Sequence, residues 1–182
     1  MEDYAFILDF LPQGLPADKG YKREAVAYGL GENEFKLFEM IPVPSAIITI
    51  GDRVYIGKDM DKRGQIQHVK RRVGYEDLTA SAQAELPYIV QDIVSSNEAR
   101  FIRFFNEAHA VTTKFHMLEL LPGLGKKTMW AVIDERKKGE FKSFADIAER
   151  VPSVKHPEKL ISKRVEQELS NASEKYRLFV SR

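Results

Sequence analysis

The segment Leu121–Thr128 constrains the fold more than any other part of the chain. It reads Leu-Pro-Gly-Leu-Gly-Lys-Lys-Thr, and a stretch with helical character, Met129–Lys138, follows it. Because glycine adopts the positive φ that a side chain resists, we expect Gly123 to close a tight turn. Gly125 stands where the chain enters the helix. Leu124, between the two glycines, is expected to point into the core.

This turn predicts an anion-binding site. Backbone N–H groups at such a turn can converge on a phosphate oxygen, and the helix N-terminus adds partial positive charge. Two glycines only one residue apart exclude a Walker A loop, which needs four residues between its glycines. A Rossmann fingerprint is excluded because its third glycine is missing. The alternative interpretation is an ordinary helix cap followed by a tight turn between helices, where glycine is common.

The same residues resemble a helix-hairpin-helix motif, a module with which many DNA- and RNA-binding proteins grip a sugar-phosphate backbone. The resemblance places the motif at about 115–138, with a first helix over Phe115–Leu121 and a second over Lys126–Lys138. It implies that the backbone-binding residues are Gly123, Leu124, Gly125, Lys126, Lys127, Thr128 and Arg136. The carbonyl groups of such a turn can also bind a monovalent cation.

A second, degenerate hairpin is expected at about 144–169. Its turn is Val151-Pro152-Ser153-Val154-Lys155, in which Ser153 and Lys155 occupy the places of the two glycines. We expect this turn to pack against the first one without binding an anion.

Residues 1–75 predict a small β-barrel or sandwich, because short apolar or β-branched runs alternate there with turn signals. The expected strands are Tyr4–Phe10, Glu24–Leu30, Phe35–Met40, Ala46–Ile50, Val54–Gly57 and Gln65–Lys70. The stretch Ile50–Gly57 resembles a strand of OB-like barrels.

Residues 76–182 predict helices. The expected elements are a helix from about Thr79 to Ser95 interrupted near Pro87, a capping box at Ser95–Glu98, a helix with Phe101, Ile102, Phe105 and Ala108 on one face, a helix capped by Ser143 that ends at Arg150, and a helix from Pro157 to about Leu169. The segment Tyr176–Val180 is expected to be a strand or a docked tail. The predicted fold class is therefore α+β multidomain, with an N-terminal OB-like β-barrel at 1–75 and an all-α helix-hairpin-helix domain at 76–182.

This combination resembles an uncharacterised archaeal family of predicted nucleic-acid-binding proteins. The resemblance covers nearly the whole chain, and its specific part is the segment from about 116 to 151. It implies a fold and a general class with DNA or RNA as the partner, but it implies no mechanism.

The net charge is only +1, but the charges are unevenly distributed. Residues 51–75 hold 7 basic and 3 acidic side chains, and residues 114–182 hold 15 and 10. A basic patch on a nearly neutral protein indicates nucleic-acid binding. The expected secondary surface on the barrel consists of Lys58, Lys62, Arg63, Lys70, Arg71 and Arg72, with Tyr55 or Tyr21 available to stack on a base. The alternative is a solvated loop in which Asp59 and Asp61 neutralise their neighbours.

Composition excludes several classes of site. The chain has no cysteine, which excludes disulfides and thiolate metal sites, and its four histidines lack ligand spacing, so we expect no metal and no cofactor. No apolar run approaches the ~20 residues of a membrane span. The first residues lack the basic region of a signal peptide, so we expect a cytoplasmic protein without membrane contact.

These observations together predict a non-catalytic protein that binds DNA or RNA through phosphates and has weak sequence preference. Two alternatives stay open. One is a protein-interaction adaptor in which the hairpin is structural and the acidic segment 76–113 meets a partner. The other is a repair or processing enzyme resembling helix-hairpin-helix glycosylases, with Asp146 as its only candidate. The spacing from Ser143 favours a helix-cap role for Asp146 instead.

Overall fold

The computed structural model describes residues 1–16 and 23–182. The fold is α+β, with a five-stranded antiparallel sheet followed by five helices. The strands of the sheet are β1 (Tyr4–Leu11), β2 (Val26–Gly31), β3 (Leu37–Pro42), β4 (Arg53–Tyr55) and β5 (Ile66–Arg72). A separate hairpin consists of β6 (Ala110–Thr112) and β7 (Phe115–His116). The helices are α1 (Ala80–Ser96), α2 (Glu98–Glu107), α3 (Lys126–Lys138), α4 (Phe144–Arg150) and α5 (Pro157–Ser170).

The sheet is curled into a half-barrel with the strand order β4-β1-β2-β3-β5. Its core is formed by alternate side chains such as Ala5, Ala27, Met40 and Val54, which are fully buried. A register shift in β1 lies between Ile7 and Asp9, and such bulges increase the twist of a sheet. The edge strands β4 and β5 do not pair with each other within the described residues.

The prediction of a strand over Ala46–Ile50 is wrong. Most of this segment is irregular and lies between two turns: the N–H of Ala46 donates to the carbonyl of Val43, and the N–H of Asp52 donates to the carbonyl of Thr49. Ile47 is 87% exposed. A β-branched run forms a strand only where it also finds a partner strand, and within the described residues this segment pairs with none, although Ile48 packs against the core of the sheet.

The described residues pack into two compact units. One contains Met1–Ile89 together with Glu168–Arg182, and the other contains Val90–Gln167. The unit with the sheet thus includes the C-terminal segment, which the sequence did not assign to it. A boundary near residue 75 between independently folding domains stays a prediction.

The C-terminal segment is a docked tail, one of the two outcomes expected for it. The buried carboxylate of Glu168 accepts the backbone N–H groups of Leu178, Phe179 and Val180 at 2.6, 3.0 and 2.9 Å. The N–H of Ser181 donates to the carbonyl of Glu34. The side chain of Glu168 therefore accepts three backbone N–H groups of the tail, which in a strand would be hydrogen-bonded to a neighbouring strand.

Two expectations about α1 are wrong. The helix continues through Pro87 to Ser96, so it is not interrupted. Ser95 lies within α1 and caps no helix, whereas α2 begins after Asn97. The carboxylate of Glu98 instead accepts the N–H of Phe144 at 2.6 Å, at the start of α4. The Ser95–Glu98 pattern correctly indicated that a helix starts near these residues, but Glu98 accepts a hydrogen bond from α4 and not from the N-cap of its own helix.

Other helix predictions are confirmed. Phe101, Ile102 and Phe105 are buried on one face of α2. The hydroxyl of Ser143 accepts the N–H of Asp146 at 2.9 Å and caps α4. Among the described helices, none is long and apolar enough to cross a membrane.

The predicted helix over Phe115–Leu121 is wrong, and the helical half is not all-α. Phe115 and His116 form β7, and only Met117–Leu120 is helical, as a single 3₁₀ turn. The imidazole Nδ1 of His116 accepts the N–H of Leu118, and Glu119 accepts the N–H of His116. This capping box starts the turn at Met117, because the two residues before it are paired with β6.

Candidate functional site

The turn before α3 has the conformation expected from its sequence. The N–H of Leu124 donates to the carbonyl of Leu121 at 3.1 Å, and Gly123 has a φ of 84°. Proline at the second position and a positive φ at the third define a type II turn. We call Leu121–Gly125 the glycine turn. Gly123 is required there because a side chain would be strained at this φ.

Gly125 is the N-cap of α3 and leaves the start of the helix open. Its φ of −84° and ψ of 177° are extended, and its carbonyl accepts the N–H of Met129 at 2.9 Å. Having no side chain, it cannot cap the N–H groups of the first helical turn. A Cβ added at Gly123 or at Gly125 would meet no atom of the described residues within 4 Å. Backbone donors, open space and the exposed side chains of Lys126 and Lys127 therefore lie together.

Buried side chains within and after the glycine turn fix it to the core. Leu121 and Leu124 are buried, and so is Met129 in the first turns of α3. The inward orientation predicted for Leu124 is confirmed. The position of the turn is therefore set by packing, and no ligand is needed to hold it.

The degenerate second turn, Val151–Lys155, has the same frame as the glycine turn, by which we mean the hydrogen bond between two buried aliphatic residues three positions apart. The N–H of Val154 donates to the carbonyl of Val151 at 2.9 Å, and both valines are buried. Ser153 does not share the positive φ of Gly123, because Phe35 is the only non-glycine residue of the described chain in that region. The central peptide group is therefore oriented differently in the two turns. The hydroxyl of Thr128 donates to the Ser153 hydroxyl at 3.3 Å, so the side chains of the two segments are in contact.

The structure does not bring Arg136 to the glycine turn. It lies ten residues beyond the start of α3, which is about 15 Å along the helix axis. Its guanidinium is half-buried and donates to the carbonyl of Phe105 at 3.1 Å. Burial lowers the pKa of Arg136. Its observed contact is with the protein backbone.

Most of the basic residues predicted on the barrel are engaged within the fold. The guanidinium of Arg63 donates to three backbone carbonyls, those of Gly57, Ile56 and Gln67, at 2.8 to 3.0 Å. The positive charge of Arg63 therefore holds its own loop closed.

Three other basic residues of that surface have acceptors close by. Lys70 and Arg71 both pair with the buried carboxylate of Glu39, at 3.1 and 2.7 Å. Arg72 donates to the carbonyl of Ser181 at 2.6 Å.

Lys58 and Lys62 remain exposed on the loop after β4. Lys62 lies 3.8 Å from the carboxylate of Asp59, as the solvated-loop alternative expects. Tyr55 packs edge-on against Tyr4, with ring centroids 5.3 Å apart. The other aromatic residue predicted to stack, Tyr21, lies outside the described residues.

Asp146, the only catalytic candidate, is a helix-cap residue in this structure. Its carboxylate accepts the N–H of Lys142 at 3.0 Å and lies 3.3 Å from a guanidinium nitrogen of Arg150. The hydrogen bond from Lys142, followed by that from Arg150, lowers the pKa of Asp146. The group is thus a paired anion, which is a poor proton donor. In the described part of the chain, no three histidine or acidic side chains come together as a metal site.

Sequence reasoning missed a pocket beside α3. It has a volume of about 360 Å³ and lies between the β6–β7 hairpin, the 3₁₀ turn and α3. We call it the Trp130 pocket, after the indole that forms one wall. Lys114, His116, Glu119 and Lys126 also line it. The only signal in the sequence was a tryptophan one helical turn beyond Lys126, and Phe115 and His116, the second strand of the hairpin that also lines the pocket, were predicted as helix.

Comparisons with known proteins identify the family of this chain. Residues 1–181 match the family model described as Protein of unknown function (DUF655). The chain is 50% identical over 180 residues to the uncharacterized protein MJ0038 of Methanocaldococcus jannaschii, a match that covers 98% of this chain and 80% of that protein. The crystal structure of Af1531 from Archaeoglobus fulgidus is similar with a TM-score of 0.91 and 47% identity, covering 99% of this chain and 100% of that one. The chain therefore belongs to the DUF655 family.

Proposed function

We propose that this protein binds the sugar-phosphate backbone of DNA or RNA through the glycine turn and the first turn of α3. The observation that carries the proposal is the N-cap at Gly125, a residue without a side chain that precedes a helix of 13 residues. The N–H groups of the first helical turn are open there, and a phosphate oxygen can accept them.

The surroundings of Gly125 support a phosphate ligand. The space above both glycines is open to at least 4 Å from an added Cβ, so a backbone can approach closely. Lys126 and Lys127 are exposed beside it and supply positive charge. Contacts of this kind reach phosphate and sugar but not base edges, so binding is expected to depend weakly on sequence.

In this proposal the glycine turn belongs to a helix-hairpin-helix element whose first helix is reduced to a 3₁₀ turn. The curled sheet is proposed to be an OB-like half-barrel. Its contribution to binding is expected to be small, because Arg63, Lys70 and Arg71 already donate to carbonyl or carboxylate oxygens within the fold.

Binding titrations test the proposal. Fluorescent single- and double-stranded oligonucleotides of mixed sequence, in both DNA and RNA form, are titrated with the protein at 50 to 200 mM salt. We expect binding that weakens steeply with salt, because each phosphate contact releases counterions. An absence of binding to every member of the panel at the lowest salt would refute the proposal and favour a protein-interaction adaptor. Base release or cleavage in the same samples would instead favour an enzyme.

A further inference from the structure

The indole of Trp130 is exposed beside the glycine turn. Its exposed fraction is 56%, and it forms a wall of the Trp130 pocket. The volume of this pocket, about 360 Å³, falls in the range typical of small-ligand sites. A flat aromatic face that is open to a pocket is a platform on which a nucleobase can stack.

His116 supplies an unused hydrogen-bond donor to the same pocket. It is only 9% exposed, and its Nδ1 accepts the N–H of Leu118 at 3.0 Å. The proton of the neutral ring therefore sits on Nε2. Within the described residues, this Nε2 has no hydrogen-bond acceptor. Burial, followed by the nearby charge of Arg136, lowers the pKa of His116 and favours this neutral ring near pH 7.

Glu119 supplies an acceptor next to this donor. Its Oε2 accepts the backbone N–H of His116 at 2.8 Å, while no group in the described part of the chain donates to its Oε1. A carboxylate repels a phosphate from the interior of the pocket. Lys114 and Lys126, which are exposed at the lining, attract one to the rim. This distribution of charge suits a neutral base inside and its phosphate outside.

We propose that the Trp130 pocket holds one unpaired base of a single-stranded nucleic acid, stacked on Trp130 and hydrogen-bonded by His116 and Glu119. This inference rests on the proposed function, because Lys126 belongs both to the pocket and to the phosphate-binding turn. A base in a duplex is paired and stacked on its neighbours, so it cannot enter. The acceptor on Glu119 favours bases with an exocyclic amino group, such as adenine, over thymine and uracil.

The single tryptophan of the chain makes a direct test available. Fluorescein-labelled decamers of deoxyadenosine and of thymidine, and a ten-base-pair duplex, are titrated with the protein. Anisotropy measures binding, and the tryptophan emission of unlabelled samples measures stacking. We expect the adenine decamer to bind more tightly than the thymine decamer and to quench the tryptophan, and the duplex to bind without quenching it.

The two readouts separate the failure of this inference from the failure of the proposed function. Binding of single strands with unchanged tryptophan emission would overturn the base pocket and leave phosphate binding in place. An absence of any anisotropy change with these probes and with the RNA members of the earlier panel would overturn both.

Variants locate the effect. Trp130→Ala is expected to weaken binding of the adenine decamer by about tenfold and to leave duplex binding unchanged. Tyr88→Ala is the matched control, because Tyr88 is also on a helix, is 65% exposed and does not line the pocket. Equal losses in both variants, or a loss in neither, would overturn the proposal.

Two conservative substitutions test the polar groups. Glu119→Gln can still accept the N–H of His116 but turns its free end from an acceptor into a donor, so the preference for adenine over thymine should shrink or reverse. His116→Asn can keep the acceptor for Leu118, but its shorter side chain cannot place a donor where Nε2 lies, so affinity for the adenine decamer should fall several-fold. An unchanged preference in the folded Glu119→Gln variant would show that the carboxylate does not read the base.

Discussion

Substitution of Gly125 by valine is expected to have little effect on the free energy of unfolding but a large effect on the affinity for nucleic acid. Its backbone, with φ of −84° and ψ of 177°, lies in the extended region that valine adopts readily. An added Cβ would meet no described atom within 4 Å. Valine is a weaker N-cap than glycine, so we expect a loss of about 1 kcal/mol in the free energy of unfolding. A domain with the usual stability of about 5–15 kcal/mol stays folded.

The effect on binding is expected to be larger. A β-branched side chain at Gly125 would fill the space through which a phosphate reaches the first N–H groups of α3. A hydrogen bond to a charged group contributes about 1.5–3 kcal/mol. The loss of two such bonds, about 3 kcal/mol at the lower end of this range, therefore corresponds to an affinity at least about a hundredfold lower, since every 1.4 kcal/mol is a factor of ten.

The assay is the anisotropy titration, with circular dichroism and thermal unfolding on the same samples. Gly74→Val is the matched control, because Gly74 is the N-cap of the 3₁₀ turn Tyr75–Asp77 and is also in extended conformation, with φ of −90° and ψ of 169°. Its added Cβ would lie 3.7 Å from Asp77 Oδ2, which is an ordinary contact. Near-normal affinity in a folded Gly125→Val variant would remove the glycine turn from the binding surface.

Three further predictions concern charge and stability. Replacing Lys126 and Lys127 together by alanine should lower the log–log salt slope for duplex DNA by about 1.8, at about 0.9 for each lost phosphate contact; an unchanged slope in salt titrations would place both lysines away from the ligand. Glu168→Ala leaves three backbone N–H groups of the tail without their acceptor and should cost about 3 kcal/mol in urea unfolding, with a loss under 1 kcal/mol contradicting this account. The pKa of Glu34 is lowered from 4.5 to about 2 by Lys36 and the N-terminal amino group, so this carboxylate stabilises the fold above pH 4.5 and that stabilisation disappears as the pH falls through about 2. The stability advantage of the wild-type protein over Glu34→Gln should therefore be much smaller at pH 2 than at pH 7, and a constant difference across this range would contradict the assignment.

The parts of the fold that follow from local chemistry could be predicted from the sequence. The positive φ of Gly123, the cap at Ser143 and the buried face of α2 depend on residues a few positions apart. The residues Ala46–Ile50 and Phe115–Leu121 could not be assigned in this way. Whether an apolar run becomes a strand depends on a partner strand, and in the structure Phe115 and His116 pair with β6 instead of continuing a helix.

The candidate site was predictable only where backbone conformation determines it. The number of basic residues indicated a positively charged surface on the barrel. The sequence does not show, however, whether a basic side chain is free to bind a ligand or is already paired within the fold. Arg63 donates to three backbone carbonyls, and Arg71 pairs with the buried carboxylate of Glu39. The Trp130 pocket needs the β6–β7 hairpin as its second wall, so no pattern within α3 alone could have revealed it.

The shared frame of the two turns has a consequence for how such a unit can change during evolution. Buried aliphatic residues at both ends hold each turn, so the residues at its tip are free to vary without loss of the fold. A copy that keeps Val151 and Val154 but carries Ser153 remains a spacer between helices, whereas the copy with Gly123 gains a different peptide orientation. Under the proposed function, gain or loss of phosphate binding at either turn therefore requires only a few substitutions at its tip, because the buried residues that hold the turn stay unchanged.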